Sequence, residues 1–156
     1  MKHRKVISGL LALTLLFIWG NSLLPREVSG AFSDAVMGVM NRMAAGMGLG
    51  EDAFTVLVDT DGDGEPEPSS HAVRKMAHVT EFAVLGGLLW LRMEGVKHRR
   101  RMTFLLGLSV AVTDETIQLF SHRGSQIGDV LIDAGGLLLS LVFIEAVIRV
   151  RNRKES

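Results

Sequence analysis

The sequence predicts an all-α fold, a polytopic transmembrane bundle of four helices with an extracytoplasmic loop carrying a short amphipathic helix. Three observations predict it. Apolar residues, 47% of the 156, are gathered in blocks of spanning length rather than spread along the chain. Lysines and arginines crowd alternate connections between those blocks. Within the blocks, ionisable side chains recur at one common depth. The whole of residues 1–156 reads as a single membrane domain.

The first span, about residues 6–24, runs from Val6 to Leu24 without a charged residue. At 1.5 Å per residue it reaches roughly 28 Å, close to the hydrocarbon thickness. Lys2, Arg4 and Lys5 precede it, and Val28-Ser29-Gly30 loosely resembles a cleavage site, so a signal peptide is the competing reading. The apolar run exceeds the roughly 7–15 residues of a signal core. Retention of the segment as a helix is therefore expected.

Residues 25–71 form the extracytoplasmic loop, in which nine acidic residues stand against Arg26 and Arg42. Phe32, Val36, Met40, Met43 and Met47 recur at helical spacing, the pattern of an amphipathic helix with a Met-rich face. That face suits packing against the bundle or the membrane surface, or docking of another protein or lipid. Further on, Asp59-Thr60-Asp61-Gly62-Asp63-Gly64 matches the first half of a calcium loop. Its second half departs from the pattern: Ser70 stands where the bidentate Glu belongs, and Pro66 and Pro68 block an exit helix. Asp59, Asp61 and Asp63 are thus weak calcium candidates, and a solvated acidic linker is the stronger reading.

The remaining spans are placed at about 72–91, 102–120 and 127–148. Hydropathy supports the last of these best. The second span contains His78 and Glu81, and the third meets Asp114 and Glu115 after a charge-free stretch, so both could also be core helices of a soluble domain. Charge asymmetry favours spanning. Lys2, Arg4, Lys5, Arg92, Lys97, Arg99, Arg100, Arg101, Arg149, Arg151, Arg153 and Lys154 are twelve of the seventeen basic residues, and four spans put all of them on one side. That side is expected to be the cytoplasm, with both termini there. Trp19 and Trp90 then fall at the two interfaces, where indoles are enriched.

With alternate helices running in opposite directions, the polar residues share a level near the outer surface. His78 and Glu81 lie early in one span, Asp114, Glu115 and Gln118 late in the next, and Asp129 and Asp133 early in the last. Arg123 lies in the short outer connection. At 100° per residue, Arg74, His78 and Glu81 fall within about 60° of one another, as do Asp129, Asp133 and Gly136. A carboxylate costs about 2.5–3.5 kcal/mol at a helix centre and less near the interface, so the five together would oppose insertion by on the order of 10 kcal/mol. They are expected to face one another, to pair with Arg74, Lys75 and Arg123, to take up protons or to coordinate a cation. Gly86, Gly87, Gly135 and Gly136 would let the backbones approach deeper down. An interhelical salt-bridge network that only fixes packing is the bland reading, yet five carboxylates exceed three bases by two. A proton, a divalent cation or a cationic ligand could complete the set.

The chain lacks cysteine, which excludes disulfides and thiolate chemistry, and its formal net charge of zero gives no general attraction to nucleic acid. The run His98-Arg99-Arg100-Arg101 has no aromatic interleaving for base stacking and reads as a membrane anchor.

Three segments resemble the VanZ-like family of bacterial membrane proteins, named after an accessory factor in low-level resistance to the glycopeptide teicoplanin. They are Arg74-Lys75-Met76-Ala77-His78-Val79-Thr80-Glu81-Phe82, Asp114-Glu115-Thr116-Ile117-Gln118-Leu119-Phe120 with Arg123, and Asp129-Val130-Leu131-Ile132-Asp133-Ala134-Gly135-Gly136. Trp19 and Asn21-Ser22 before Pro25 are similar to the family's first span. The acidic Asp59 to Glu67 stretch departs from the family and reads as a local insertion. The resemblance implies a cell-envelope role in the cytoplasmic (inner) membrane, where glycopeptides act on peptidoglycan precursors on the outer side.

Two functions stay open. One is a binding protein for an envelope lipid, a peptidoglycan precursor or a glycopeptide-related ligand. Its ligand-binding residues would be Arg74, Lys75, His78, Glu81, Asp114, Glu115, Gln118, Arg123, Asp129 and Asp133, the bases taking anionic groups and the carboxylates cationic ones. The other is an intramembrane enzyme acting on a lipid-linked envelope substrate, its catalytic candidates His78, Glu81, Asp114 and Glu115. Asp129 and Asp133 are then weak candidates for holding a hydrated metal ion. His78-Val79-Thr80-Glu81 is only a bare His-x-x-Glu pair, with no second histidine on that face to make an ordinary zinc site. Transport has little support without inverted repeats or broken helices.

Overall fold

The computed structural model describes residues 2–58, 67–121 and 127–154. They form five helices, α1 (Lys2–Leu23), α2 (Arg26–Gly46), α3 (His71–Arg92), α4 (Arg99–Phe120) and α5 (Ile127–Lys154), with two short strands, β1 (Val56–Val58) and β2 (Glu67–Ser69), between α2 and α3. The chain divides into two compact units, Met1–Leu23 with His78–Ser156, and Leu24–Ala77.

In the first unit each expected span is a helix, and each helix outruns its apolar block where polar residues flank it. α4 begins three residues before the block, at Arg99, and α5 continues through Arg149, Arg151 and Arg153. A helix satisfies its own backbone, so it stops where the chain chemistry forbids another turn, not where hydropathy falls. α1 ends just before Pro25, because the residue ahead of a proline avoids helical geometry. α1, α4 and α5 are long and apolar enough to cross a membrane. α3 matches them in length, but its polar first half leaves it outside that set.

The first unit is built inside out. Its core is Ile18 from α1, Phe82 and Leu85 from α3, Ala111 from α4 and Leu137 from α5. Around it Leu13, Leu16 and Phe17 of α1, Leu105 and Val112 of α4, and Leu139, Val142 and Phe143 of α5 are exposed, while Asp114, Glu115, Gln118 and Asp133 are buried. Water would penalise that apolar exterior, whereas lipid accepts it.

Small residues bring the helices close. A Cβ added at Gly136 of α5 would collide with the Val79 carbonyl oxygen of α3, and one at Gly107 of α4 would overlap the Leu137 side chain. At Gly86 an added Cβ would lie 3.2 Å from Ser140 Cβ. The expected glycine contact between α3 and α5 is therefore made by Gly86 and Gly136, whereas Gly135 meets open space. Gly107 is a third close approach, one that the sequence reading did not single out.

In the second unit α2 starts on the Pro25 carbonyl, which accepts from Val28 N and Ser29 N at 3.1 Å each, and stops where Gly48 takes φ +78. It runs 21 residues, longer than the short helix expected. Phe32, Met43 and Met47 are exposed, while Ser29, Ser33 and Ala44 are the positions it buries. The Asn41 side chain accepts from Phe54 N and donates to Thr55 Oγ1, both at 2.8 Å, tying α2 to the approach to β1. β1 and β2 pair antiparallel, Val56 with Ser69 and Val58 with Glu67. This strand pair is an addition to the all-helical reading: Val56 to Val58 is too short to show a period, and Pro68 speaks only against a helix. Asp59, Asp61 and Asp63 lie outside the described residues, between the two strands.

Candidate functional site

Apart from Thr103, near the start of α4, the buried polar side chains described in the first unit gather at the end where α1 and α4 finish and α5 begins. Ser22, in the last turn of α1, donates to Asp114 Oδ1 at 2.6 Å. Gln118, one turn after Asp114 on α4, donates to Asp114 Oδ2 at 2.9 Å and to Ser22 Oγ at 3.3 Å. Ser121 closes this side by donating to the Ser22 carbonyl at 3.0 Å. The result is a closed triangle pinning α1 to α4, with both oxygens of a fully buried carboxylate accepting a hydrogen bond.

A second pair joins α3 to α5. His78 Nδ1 lies 3.1 Å from Asp133 Oδ1, the histidine nearly covered and the carboxylate wholly so. The close approach at Gly136, one turn after Asp133, beside Val79, the neighbour of His78, lets two such short side chains meet. The other carboxylate oxygen, Asp133 Oδ2, is buried without a hydrogen-bond partner among the described residues. The two pairs are one cluster, since ligand atoms of His78, Asp114 and Asp133 all lie within 4.8 Å of one another. Glu81 and Asp114 are within electrostatic reach of His78, and Asp114 and Asp129 within reach of Asp133.

Of the residues singled out from sequence, His78, Asp114, Gln118 and Asp133 are brought into direct contact or close apposition. Glu115 is buried on α4, while Glu81 on α3 and Asp129 on α5 are half-buried one turn from a cluster member. Asp129 is not one of the three whose ligand atoms converge. Arg74 and Lys75 belong to the second unit. Arg123 lies outside the described residues, as do Asp59, Asp61 and Asp63.

The sequence reading missed the parts played by Ser22 and Ser121. Ser22 carried a usable signal: it is a small polar residue at the depth already assigned to the carboxylates, in a helix otherwise free of them. Serine is common enough in apolar helices that depth alone does not single it out.

The opposite end of the unit is basic and exposed. Arg4 donates to the Glu94 carbonyl at 3.0 Å, Arg92 to Ser8 Oγ at 3.2 Å and Arg99 to the Trp90 carbonyl at 2.7 Å. The Arg99 guanidinium also stacks 4.2 Å from the Trp90 ring centre. Arg100 meets Glu145 at 3.0 Å. The three basic stretches that topology assigned to one side thus share one end of the folded unit.

The family model described as VanZ/LLP1 matches residues 9–148, nearly the whole chain. No protein of curated function and no solved structure matches it.

Proposed function

The chain belongs to the VanZ/LLP1 family, and from that premise we propose that it is a four-span protein of the bacterial cytoplasmic membrane, with both termini in the cytoplasm. Its polar cluster would bind an envelope lipid or a glycopeptide-related ligand, in keeping with the glycopeptide resistance associated with the VanZ name. The observation that carries the reading is the closed cluster of Ser22, His78, Asp114, Gln118 and Asp133 inside an apolar exterior. Buried ionisable groups in a lipid-facing bundle are costly, and proteins keep them chiefly where they work.

α3 serves as the fourth span because its polarity is one-sided. His78 is nearly covered and Phe82 and Leu85 enter the core, while Val84 and Leu91 are exposed. With the basic end in the cytoplasm, the cluster opens toward the outer leaflet, the compartment of peptidoglycan precursors. A largely apolar groove of about 420 Å³ between α3 and α5, lined by Val79, Ala83, Val84, Leu139 and Phe143 with the hydroxyls of Thr80 and Ser140, would suit a lipid chain whose head group lies at the cluster. Arg123 is proposed to take its anionic groups, and Glu81, Glu115 and Asp129 its cationic ones.

One observation favours the alternative of an intramembrane enzyme. The His78–Asp133 pair has the arrangement of a general base held by a carboxylate. Native mass spectrometry of the protein released from membranes, with and without added lipid-linked precursor, tests both. A bound lipid retained by the wild type and lost in Asp114→Asn supports binding, turnover of the precursor supports the enzyme, and neither in a folded protein overturns both.

A further inference from the structure

Asp133 presents an unresolved demand. If its carboxylate is charged, the buried Oδ2 lacks a donor; if that oxygen carries a proton, the proton lacks an acceptor, because no described residue pairs with it. A cation bound by both oxygens of the carboxylate would remove the difficulty, and the neighbouring atoms are those a metal would choose. His78 Nδ1 and Asp133 Oδ1 are 3.1 Å apart, and bond lengths of about 2.1 Å give edges of about 3.0–3.4 Å in octahedral and tetrahedral coordination. A carboxylate oxygen of Asp114 completes a set within 4.8 Å, so a modest inward movement suffices.

Charge and support agree with this geometry. Two carboxylates and a neutral imidazole around a divalent ion make a neutral centre, the form that burial penalises least. Asp114 is already held by Ser22 and Gln118, the kind of outer hydrogen bonds that orient a coordinating carboxylate. Mixed imidazole and carboxylate ligands suit ions such as Zn2+ and Mn2+ better than Mg2+ or Ca2+, which prefer oxygen alone.

We propose that His78, Asp114 and Asp133 form a binding site for one divalent transition-metal ion, with Ser22 and Gln118 positioning Asp114. The site deepens the reading above, since it rests on this cluster being the working part of the protein. It would give a ligand's phosphate or carboxylate a Lewis-acidic contact in a region otherwise rich in negative charge.

The test is metal binding by the full chain in detergent, stripped with chelator and titrated separately with Zn2+ and Mn2+. One equivalent per chain is expected, at least 10-fold weaker in His78→Gln, Asp114→Asn and Asp133→Asn, and about 10-fold weaker in Ser22→Ala. Glu145→Gln, at the other end, and the double variant Asp61→Asn/Asp63→Asn should bind as the wild type does. Should the site variants fold poorly, Mn2+ resonance in wild-type protein carrying 15N-histidine decides instead: a changed nitrogen coupling supports the site, and its absence overturns it. Stoichiometric binding insensitive to Asp133→Asn, or no binding, also overturns it. If no metal binds but an envelope lipid does, and Asp114→Asn abolishes that, the metal site falls while the binding function stands.

Discussion

The two ends of the first unit solve the same problem, joining four helices through polar groups, by opposite means. At the basic end long side chains reach over the surface: Arg4 to a carbonyl, Arg92 to Ser8, Arg100 to Glu145, all in exposed or partly exposed contacts. At the other end the short side chains of Ser22, Asp114, Asp133 and His78 meet inside the packing, as the glycine contact between α3 and α5 allows. Length and flexibility make the first end tolerant, since an arginine that loses one partner finds water or a head group. Burial makes the second end exacting, since an abandoned carboxylate or serine has nowhere to turn. A fold needs the first kind of joint for orientation and has little reason to keep the second unless it does something.

The contrast is broken most directly at the glycine that permits it. Gly136→Val places side-chain atoms against the Val79 carbonyl, and backbone yields less than the side chains that usually absorb overpacking. A cost above the usual range of about 1–3 kcal/mol is expected. It should be read as loss of the monodisperse species in detergent; a variant as heat-stable as wild type would mean that α3 and α5 do not approach as described. Next in size is Asp114→Ala, which leaves Ser22 and Gln118 without their shared acceptor and should cost about 1–3 kcal/mol in thermal unfolding. Ser22→Ala removes two of the triangle's three hydrogen bonds but leaves Gln118 on the Asp114 carboxylate, and at roughly 0.6 kcal/mol for each bond in a membrane bundle it should cost about 1 kcal/mol. If Ser22→Ala costs as much as Asp114→Ala, the triangle acts as a single unit and the pairwise account is too simple.

What the sequence made legible follows from the same physics. The helix positions were readable because a spanning segment must be apolar over a fixed length, and α4 and α5 end and begin where Phe120 and Ile127 were assigned. The depth of His78, Asp114, Gln118 and Asp133 was readable because opposed helix directions convert chain position into height. Which residues touch was not readable. Helical phase puts Asp129 and Asp133 on one stripe, yet only Asp133 enters the convergent set, since that depends on how α5 is rotated against α3, and Gly136 sets this. Ser22 was overlooked for a similar reason: its importance lies in a partner on another helix, 92 residues away. The β1–β2 strand pair was hidden because three-residue strands carry no period.

The smallest expected effect is the sharpest check on the comparison. Arg100 and Glu145 make a well-formed ion pair at the basic end, at 3.0 Å, yet Arg100 remains largely exposed. Exposed pairs contribute about 0.2–1 kcal/mol, and Arg100→Ala leaves Glu145 with Arg149 at 3.9 Å one turn along α5. Thermal unfolding should therefore move little. On the proposed topology eleven basic residues still mark that end, so in this variant as in the wild type a reporter fused after Lys154 should report cytoplasm and one inserted near Gly62 the outside. Raising the salt in the unfolding assay separates the two kinds of joint. Screening weakens the exposed pair and erases the small deficit of Arg100→Ala, whereas the deficit of Asp114→Ala, held in a buried triangle, should persist. If salt instead rescues Asp114→Ala as well, solvent reaches the cluster freely, and the difference between the two ends is one of degree.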